Sequence, residues 1–135
     1  MLRAYVGSGG KTTAIHNDAE TYLKEGKTVL VLTSTHMKIE EDTLCTDCPE
    51  EIIRKLKNDR YCMAGVREGN KITALTKETY DAVISHADVV LIEADGSRGF
   101  PLKYPNATEP VVYDNVEEII VVVGLNALGK PAKDV

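Results

Sequence analysis

The chain has 135 residues, 43% hydrophobic and 27% charged, and its 16 Lys and Arg against 21 Asp and Glu leave a formal charge of −5. That length supports one hydrophobic core without disulfides or a structural metal and leaves no room for two complete domains. The acidic balance excludes a general field for holding a phosphate polymer, so nucleic acid is not an expected partner and any anion must be bound by a local device.

The first apolar run, Leu2 to Val6, has the look of a buried strand and stops abruptly at Gly7-Ser8-Gly9-Gly10. It is too short for a signal-peptide core, and no run reaches the roughly 18 apolar residues of a spanning helix, so a cytoplasmic protein with no membrane partner is expected. Thr12 to Glu25 then places Ile15, Ala19, Tyr22 and Leu23 on one helical face, with Gly26 as a natural stop. Thr28 to Leu32 is a second buried strand that opens into the polar cluster Thr33-Ser34-Thr35-His36. Lys38 to Pro49 is polar and acidic with neither helical nor strand period, and reads as a mobile surface loop.

Pro49 suits a first helical position, Ile52, Ile53 and Leu56 form an apolar stripe, and Asn58-Asp59 ends that helix. Tyr61 to Leu75 contains two strand-like pieces around Arg67-Glu68-Gly69-Asn70, which predicts a hairpin. Thr76 is placed to cap a helix running through His86, with Tyr80, Val83 and Ile84 inward. Asp88 to Glu93 is a third strong strand, followed by a long irregular segment of the kind that carries function, and Glu118 to Val123 is a fourth. Short apolar runs alternating with helical stretches predict an α/β fold with a mostly parallel sheet, and the scarcity of aromatics, one Phe and no Trp, suits its aliphatic core.

The residues that carry chemistry sit at the carboxyl ends of these strands, where open α/β sheets bind ligands. Gly7-Ser8-Gly9-Gly10-Lys11-Thr12-Thr13 lies between a strand and an amphipathic helix, the setting of a phosphate-binding loop. Its glycines let successive N–H groups face one concavity at the positive end of the helix dipole. Lys11 would reach the outer phosphates and Thr12 would offer a hydroxyl to Mg2+. The spacing is not that of a standard Walker A loop, since Tyr5 stands where its first glycine would be, and is closer to the compact loop of Mur ligases. Glu93, with Asp95 two residues on, supplies the acidic group that such a site needs to hold magnesium or orient the attacking group.

Thr35 is a candidate second magnesium contact, His36 a candidate for acting on water or substrate, and both also read as ordinary loop groups. Cys45-Thr46-Asp47-Cys48 has the spacing of half a zinc knuckle without its other half, so these and Cys62 read as free thiols in a reducing compartment. Arg98 and Lys103 are candidate clamps on a phosphate or an acidic substrate.

Val6 to Thr13, Thr33 to Met37, and Glu93-Ala94-Asp95-Gly96-Ser97-Arg98-Gly99 with Pro101-Leu102-Lys103 and Glu109-Pro110 resemble the YqeC-type family of selenium-dependent hydroxylase accessory proteins. The resemblance runs from residue 2 to about residue 131, and its last block is more specific than the glycine loop. It implies a P-loop NTPase-like three-layer domain over residues 1–135, with nucleotide phosphates on the Gly7 to Thr12 loop, Glu93 and Asp95 as the acidic site, and Ser97 and Lys103 on the substrate side. It further implies a role in maturing selenium-dependent molybdenum hydroxylases, with the hydroxylase or its cofactor precursor as partner. Ser34 departs from a run that is usually all threonine, and family chains continue past Gly124 to Pro131, so a terminal strand and helix are expected beyond this sequence.

The expected activity is Mg-ATP or Mg-GTP binding, with phosphoryl transfer or hydrolysis carried by Lys11, Glu93 and Asp95. A nucleotide-gated switch whose moving part is Lys38 to Pro49, and a Mur-like ligase, are the alternatives. Gly124 to Lys130 does not match a guanine-reading motif, which leaves a preference for ATP.

Overall fold

The computed structural model describes residues 1–7, 10–94 and 116–122. The elements run β1 (Leu2–Gly7), α1 (Lys11–Lys24), β2 (Val29–Thr33), β3 (His36–Lys38), β4 (Leu44–Cys45), α2 (Pro49–Asp59), β5 (Tyr61–Glu68), β6 (Lys71–Thr73), α3 (Lys77–Val83) with a 3-10 turn over Ile84–His86, β7 (Val89–Glu93) and β8 (Glu118–Val122). They form a mixed, mostly parallel sheet in the order β3-β6-β5-β2-β7-β1-β8, with β4 alongside β5. Among the described residues, only the β5–β6 and β6–β3 pairings are antiparallel. The predicted α/β class and the 61–75 hairpin are both present.

Alternation along the central strands sends side chains to two separate cores. Leu30, Leu32, Val90 and Ile92 pack with Ile52 and Leu56 of α2 and with Tyr80 and Val83 of α3. Tyr5, Val29, Val31, Val89 and Leu91 pack with Ile15 and Ala19 of α1 on the other face. Helices therefore cover both faces of the central sheet, and strands buried on both faces need the continuous apolar runs seen in β2 and β7.

Each helix carries its own signals. In α1 the buried Ile15 and Ala19 are four residues apart, on one face, and Gly26 turns the chain out at φ 89°. In α2 a proline opens the helix, Ile52 and Leu56 are fully buried, and Arg60 closes it in the left-handed region at φ 63°, its N–H donating to Leu56 O at 2.8 Å. Each of those two side chains contributes about 1.5–3 kcal/mol on burial. Thr76 caps α3 by accepting from the Thr79 N–H.

The reading of Lys38 to Pro49 as a patternless mobile loop is corrected here. β3 extends to Lys38, β4 pairs with Ala64 and Gly65 of β5, and the Glu40 N–H donates to Thr43 Oγ1 at 2.8 Å. Asp47 accepts from both the N–H and the hydroxyl of Thr76, each at 3.0 Å, which ties the segment to the start of α3. Pairing of so short a strand depends on β5 being in place, which local pattern does not reveal.

At the opposite edge, among the described residues, β8 pairs only with β1, and Ile119, Ile120 and Val121 of that strand are exposed. Arg3 fixes its register: the guanidinium donates to Glu118 at 2.7 Å, to Asp18 at 3.2 Å and to the Tyr22 hydroxyl at 2.8 Å, joining β1, β8 and α1. No helix among the described residues is long and apolar enough to cross a membrane.

This packing can be tested at Gly65 and at Cys62. A Cβ at Gly65 would lie 2.6 Å from Thr73 O and 2.9 Å from Ile72 Cβ, so Gly65→Ala should lower unfolding free energy by about 1–3 kcal/mol in urea titration. Burial pushes the Cys62 thiol from 9.0 up to about 12, with a smaller opposing pull from Lys55. Native protein at pH 8 should leave Cys62 unmodified by a thiol reagent that labels the exposed Cys45. Because the folded state holds the neutral thiol, its stabilising contribution is complete below pH 9 and is lost as pH rises from 9 towards 12. Urea midpoints over that range should fall less steeply in Cys62→Ala than in wild type.

Candidate functional site

The topology singles out one place for a ligand. β1 and β7 are parallel neighbours; β2, which follows β1 through α1, lies beyond β7, whereas β8, the next described strand after β7, lies beyond β1. Adjacent strands whose successors lie in opposite directions along the sheet mark a switch point, with a crevice at their carboxyl ends. The register sets the ends of β7 and β2 side by side, Glu93 beside Thr33, and places Tyr5 of β1 beside Glu93 on the other side, with β1 running two residues further to Gly7.

Gly7 ends β1 at φ 116°, and a Cβ there would stand 2.2 Å from Val122 O, so no other residue fits between the loop and β8. Gly10, at φ 98°, is the N-cap of α1, and its carbonyl accepts from the Ala14 N–H at 3.0 Å. It has no side chain with which to cap, and the first turn of α1 holds no acidic residue. Among the described residues, the opening amides of α1 therefore have no side-chain cap at the positive end of the helix dipole.

Lys11 is the first residue of α1, and its side chain reaches across to the end of β7. Nζ donates to Ala94 O at 3.1 Å and lies 3.8 Å from Glu93 Oε2. The two side chains are 16% and 12% exposed, a setting in which a single charge is strongly felt. Thr12 Oγ1 stands 3.5 Å from Glu93 Oε1, at the outer limit of a hydrogen bond. The predicted lysine, hydroxyl and carboxylate thus converge at one spot.

The backbone behind them is stitched together. The Glu93 carbonyl accepts from the Ser34 N–H at 2.8 Å, from Thr33 Oγ1 at 3.3 Å and from Ser34 Oγ at 3.4 Å. The Ala94 N–H donates to Tyr5 O at 2.9 Å. Tyr5, which replaces a Walker glycine, is a fully buried strand residue whose hydroxyl donates to Asp18 of α1. Burial holds that phenol protonated well above its ordinary range, with Asp18 acting in the same direction.

Of the other predicted residues, Thr13 lies exposed on α1, and Thr35 donates its N–H to Thr33 Oγ1 at 3.0 Å. His36 stands on β3 at the far edge of the sheet and pairs with Glu68 of β5. Ser8, Gly9, Asp95, Ser97, Arg98 and Lys103 lie outside the described residues, as does the Gly124 to Lys130 segment. Thr33 and Ser34, which contact Glu93, belong to the polar cluster whose hydroxyls are expected from sequence to face the same crevice, though the sequence assigns no individual role to either. Their position at the mouth of a buried strand was the available signal.

Among the described residues no group of three or more His, Cys, Asp and Glu could hold a metal ion. Thr12 and Glu93 instead offer the one or two oxygens with which a protein holds magnesium when ligand phosphates complete the shell.

The family model for the YqeC protein matches residues 3–135. The chain is also 35% identical over 132 residues to the protein named "Uncharacterized protein YqeC" from Escherichia coli strain K12, an alignment covering 92% of this chain and 52% of that one. The chain therefore spans about half the length of the curated relative that it matches. No solved structure gives a significant match. With the family model covering nearly all of its length, the chain belongs to the YqeC family.

Proposed function

We propose that this chain binds a magnesium nucleoside triphosphate, ATP in preference to GTP, in a P-loop NTPase-like manner at the crevice between β1 and β7. The observation that carries the reading is the meeting of Lys11, Thr12 and Glu93 at the uncapped start of α1. An uncapped helix start with an adjacent ammonium attracts an anion, and a hydroxyl beside a carboxylate attracts a hard cation. Few ligands carry both charges at that spacing, and a metal-bound polyphosphate is one.

Lys11 holds a backbone carbonyl as its main partner, and this contact is exchangeable for phosphate oxygens, which bind an ammonium more strongly. The Glu93 main chain is fixed by its own backbone bonds, so the root of its side chain stays in place while Lys11 moves. Magnesium, when bound, would neutralise phosphate charge and draw the Thr12 hydroxyl and Glu93 together. In this reading Glu93 holds the metal shell or orients the attacking group, with Asp95 beside it in sequence. The role in maturing selenium-dependent molybdenum hydroxylases, with the enzyme or its cofactor precursor as partner, is part of the same proposal and rests on the resemblance of the EADGS, PLK and EP segments.

The test is a titration of the protein with labelled ATP and GTP, with and without magnesium, following binding and phosphate release. Lys11→Ala should weaken ATP binding by about 10-fold or more. Equal binding by wild type and Lys11→Ala would overturn the assignment. Glu93→Gln should keep ATP affinity within a few fold while lowering phosphate release by about 100-fold or more. Unchanged release in Glu93→Gln would remove Glu93 from the chemistry.

A further inference from the structure

We propose that Thr33 is the positioning residue of this site, its buried hydroxyl setting where the Glu93 carboxylate stands; the inference rests on the nucleotide reading for its functional consequence but not for its geometry. Thr33 is 1% exposed, one of two buried polar residues among the described ones, in a core otherwise made of apolar side chains. Its hydroxyl is used in both directions. It donates to the Glu93 carbonyl at 3.3 Å and accepts the Thr35 N–H at 3.0 Å.

That double use links two loops through one atom. The donated bond joins the end of β2 to the end of β7, one residue before both chains leave the sheet. The accepted bond folds Ser34 back, so that its own N–H reaches the same carbonyl at 2.8 Å. The Glu93 backbone is thereby held on the β2 side by Thr33 and Ser34, and just beyond it on the β1 side by the Ala94 N–H on Tyr5 O. Its side chain, clamped at the root, is left facing Lys11 and Thr12. A valine at position 33 would fill the same volume but could neither donate nor accept, leaving the Thr35 N–H without its partner. A serine would keep both bonds.

Among the described residues no hydrogen bond joins Thr33 to Lys11 or Thr12, so its influence passes through Glu93. Removing a supporting group of this kind typically weakens a metal site by about 10-fold or more without abolishing it.

The experiment compares wild type, Thr33→Val and Thr33→Ser by nuclear magnetic resonance of the Glu93 carboxyl carbon in ligand-free protein. It also measures the magnesium concentration for half-maximal ATP-dependent phosphate release, and ATP affinity in EDTA. Thr33→Val should move the Glu93 resonance and raise the magnesium requirement about 10-fold. ATP affinity in EDTA should stay unchanged, and Thr33→Ser should match wild type in all three. If Thr33→Val does not fold, Thr33→Cys, with similar volume and a weak donor, takes its place. An unmoved Glu93 resonance alongside faster exchange of the Thr35 amide would overturn the proposal, making Thr33 a loop anchor only. Equal displacement in Thr33→Ser would overturn it too. If wild type binds no ATP yet Thr33→Val moves the Glu93 resonance and Thr33→Ser restores it, the nucleotide reading fails and the positioning role stands.

Discussion

The site depends on β7 lying between β1 and β2 and hydrogen-bonding to both. That placement sets Tyr5, Glu93 and Thr33 side by side on three strands, with β2 and β7 ending there and β1 running on to Gly7. Were β1 and β2 neighbours, the glycine loop and the Thr33-Ser34 turn would share an edge without an acidic group between them. Inserting β7 puts Glu93 there, anchored by its main chain on both sides. Continuous apolar runs make the insertion stable, because a strand whose two faces are covered by helices has no tolerance for polar interior positions. Thr33 is admitted at the end of β2 because its hydroxyl is satisfied twice.

The charge of the whole chain and the charge of the site point in opposite directions, and the distances resolve this. Five net negative charges spread over the surface are screened within about 10 Å at ordinary ionic strength. Lys11 and Glu93, both largely shielded from water, act on one another and on a ligand in a medium of lower effective dielectric. Without an anion the lysine leans on a carbonyl and a carboxylate, an arrangement nearly neutral in sum. An anion alone would meet Glu93 as a repulsive neighbour, and a cation alone would meet Lys11. A ligand that brings both charges meets neither penalty, which is the reason for proposing a metal-bound polyphosphate here and not free phosphate.

Much of this was legible in the sequence, for reasons that differ by element. Leu2 to Val6, Thr28 to Leu32 and Asp88 to Glu93 each mark a strand to within a residue, because double burial writes itself as an unbroken apolar run. Thr76 and Pro49 announced their helices through local chemistry that does not depend on the rest of the fold. β3 and β4 were hidden because strands of three and two residues owe their pairing to β6 and β5, elements distant in sequence. His36 illustrates the same limit. It follows directly on the Thr33 cluster, yet β3 carries it into a pairing with Glu68. The part played by the Glu93 carbonyl was invisible, since nothing in a residue's identity states which backbone groups its fold will use.

The glycine motif itself changes meaning when the packing is included. Gly7 reads from sequence as part of a phosphate cradle, but its missing Cβ is already required by Val122 O at a distance no side chain tolerates. A glycine at that position would be needed for β8 to pair with β1 whether or not any ligand bound. It is therefore weak support for phosphate and strong support for the fold. Gly10 differs in its cause: among the described residues a Cβ there would meet only Val122 Cγ1 at 3.4 Å, but its φ of 98° is one that side-chain-bearing residues rarely adopt, so the backbone itself asks for glycine and α1 starts without an N-cap side chain over its first amides. Serine or aspartate, the usual residues for that position, would occupy those amides with their own oxygen. Starting a helix without that stabilisation makes physical sense where an outside anion supplies the acceptor. The weight of the functional reading accordingly rests on Gly10, Lys11, Thr12 and Glu93, and much less on the glycine-rich look of the loop that first drew attention to them.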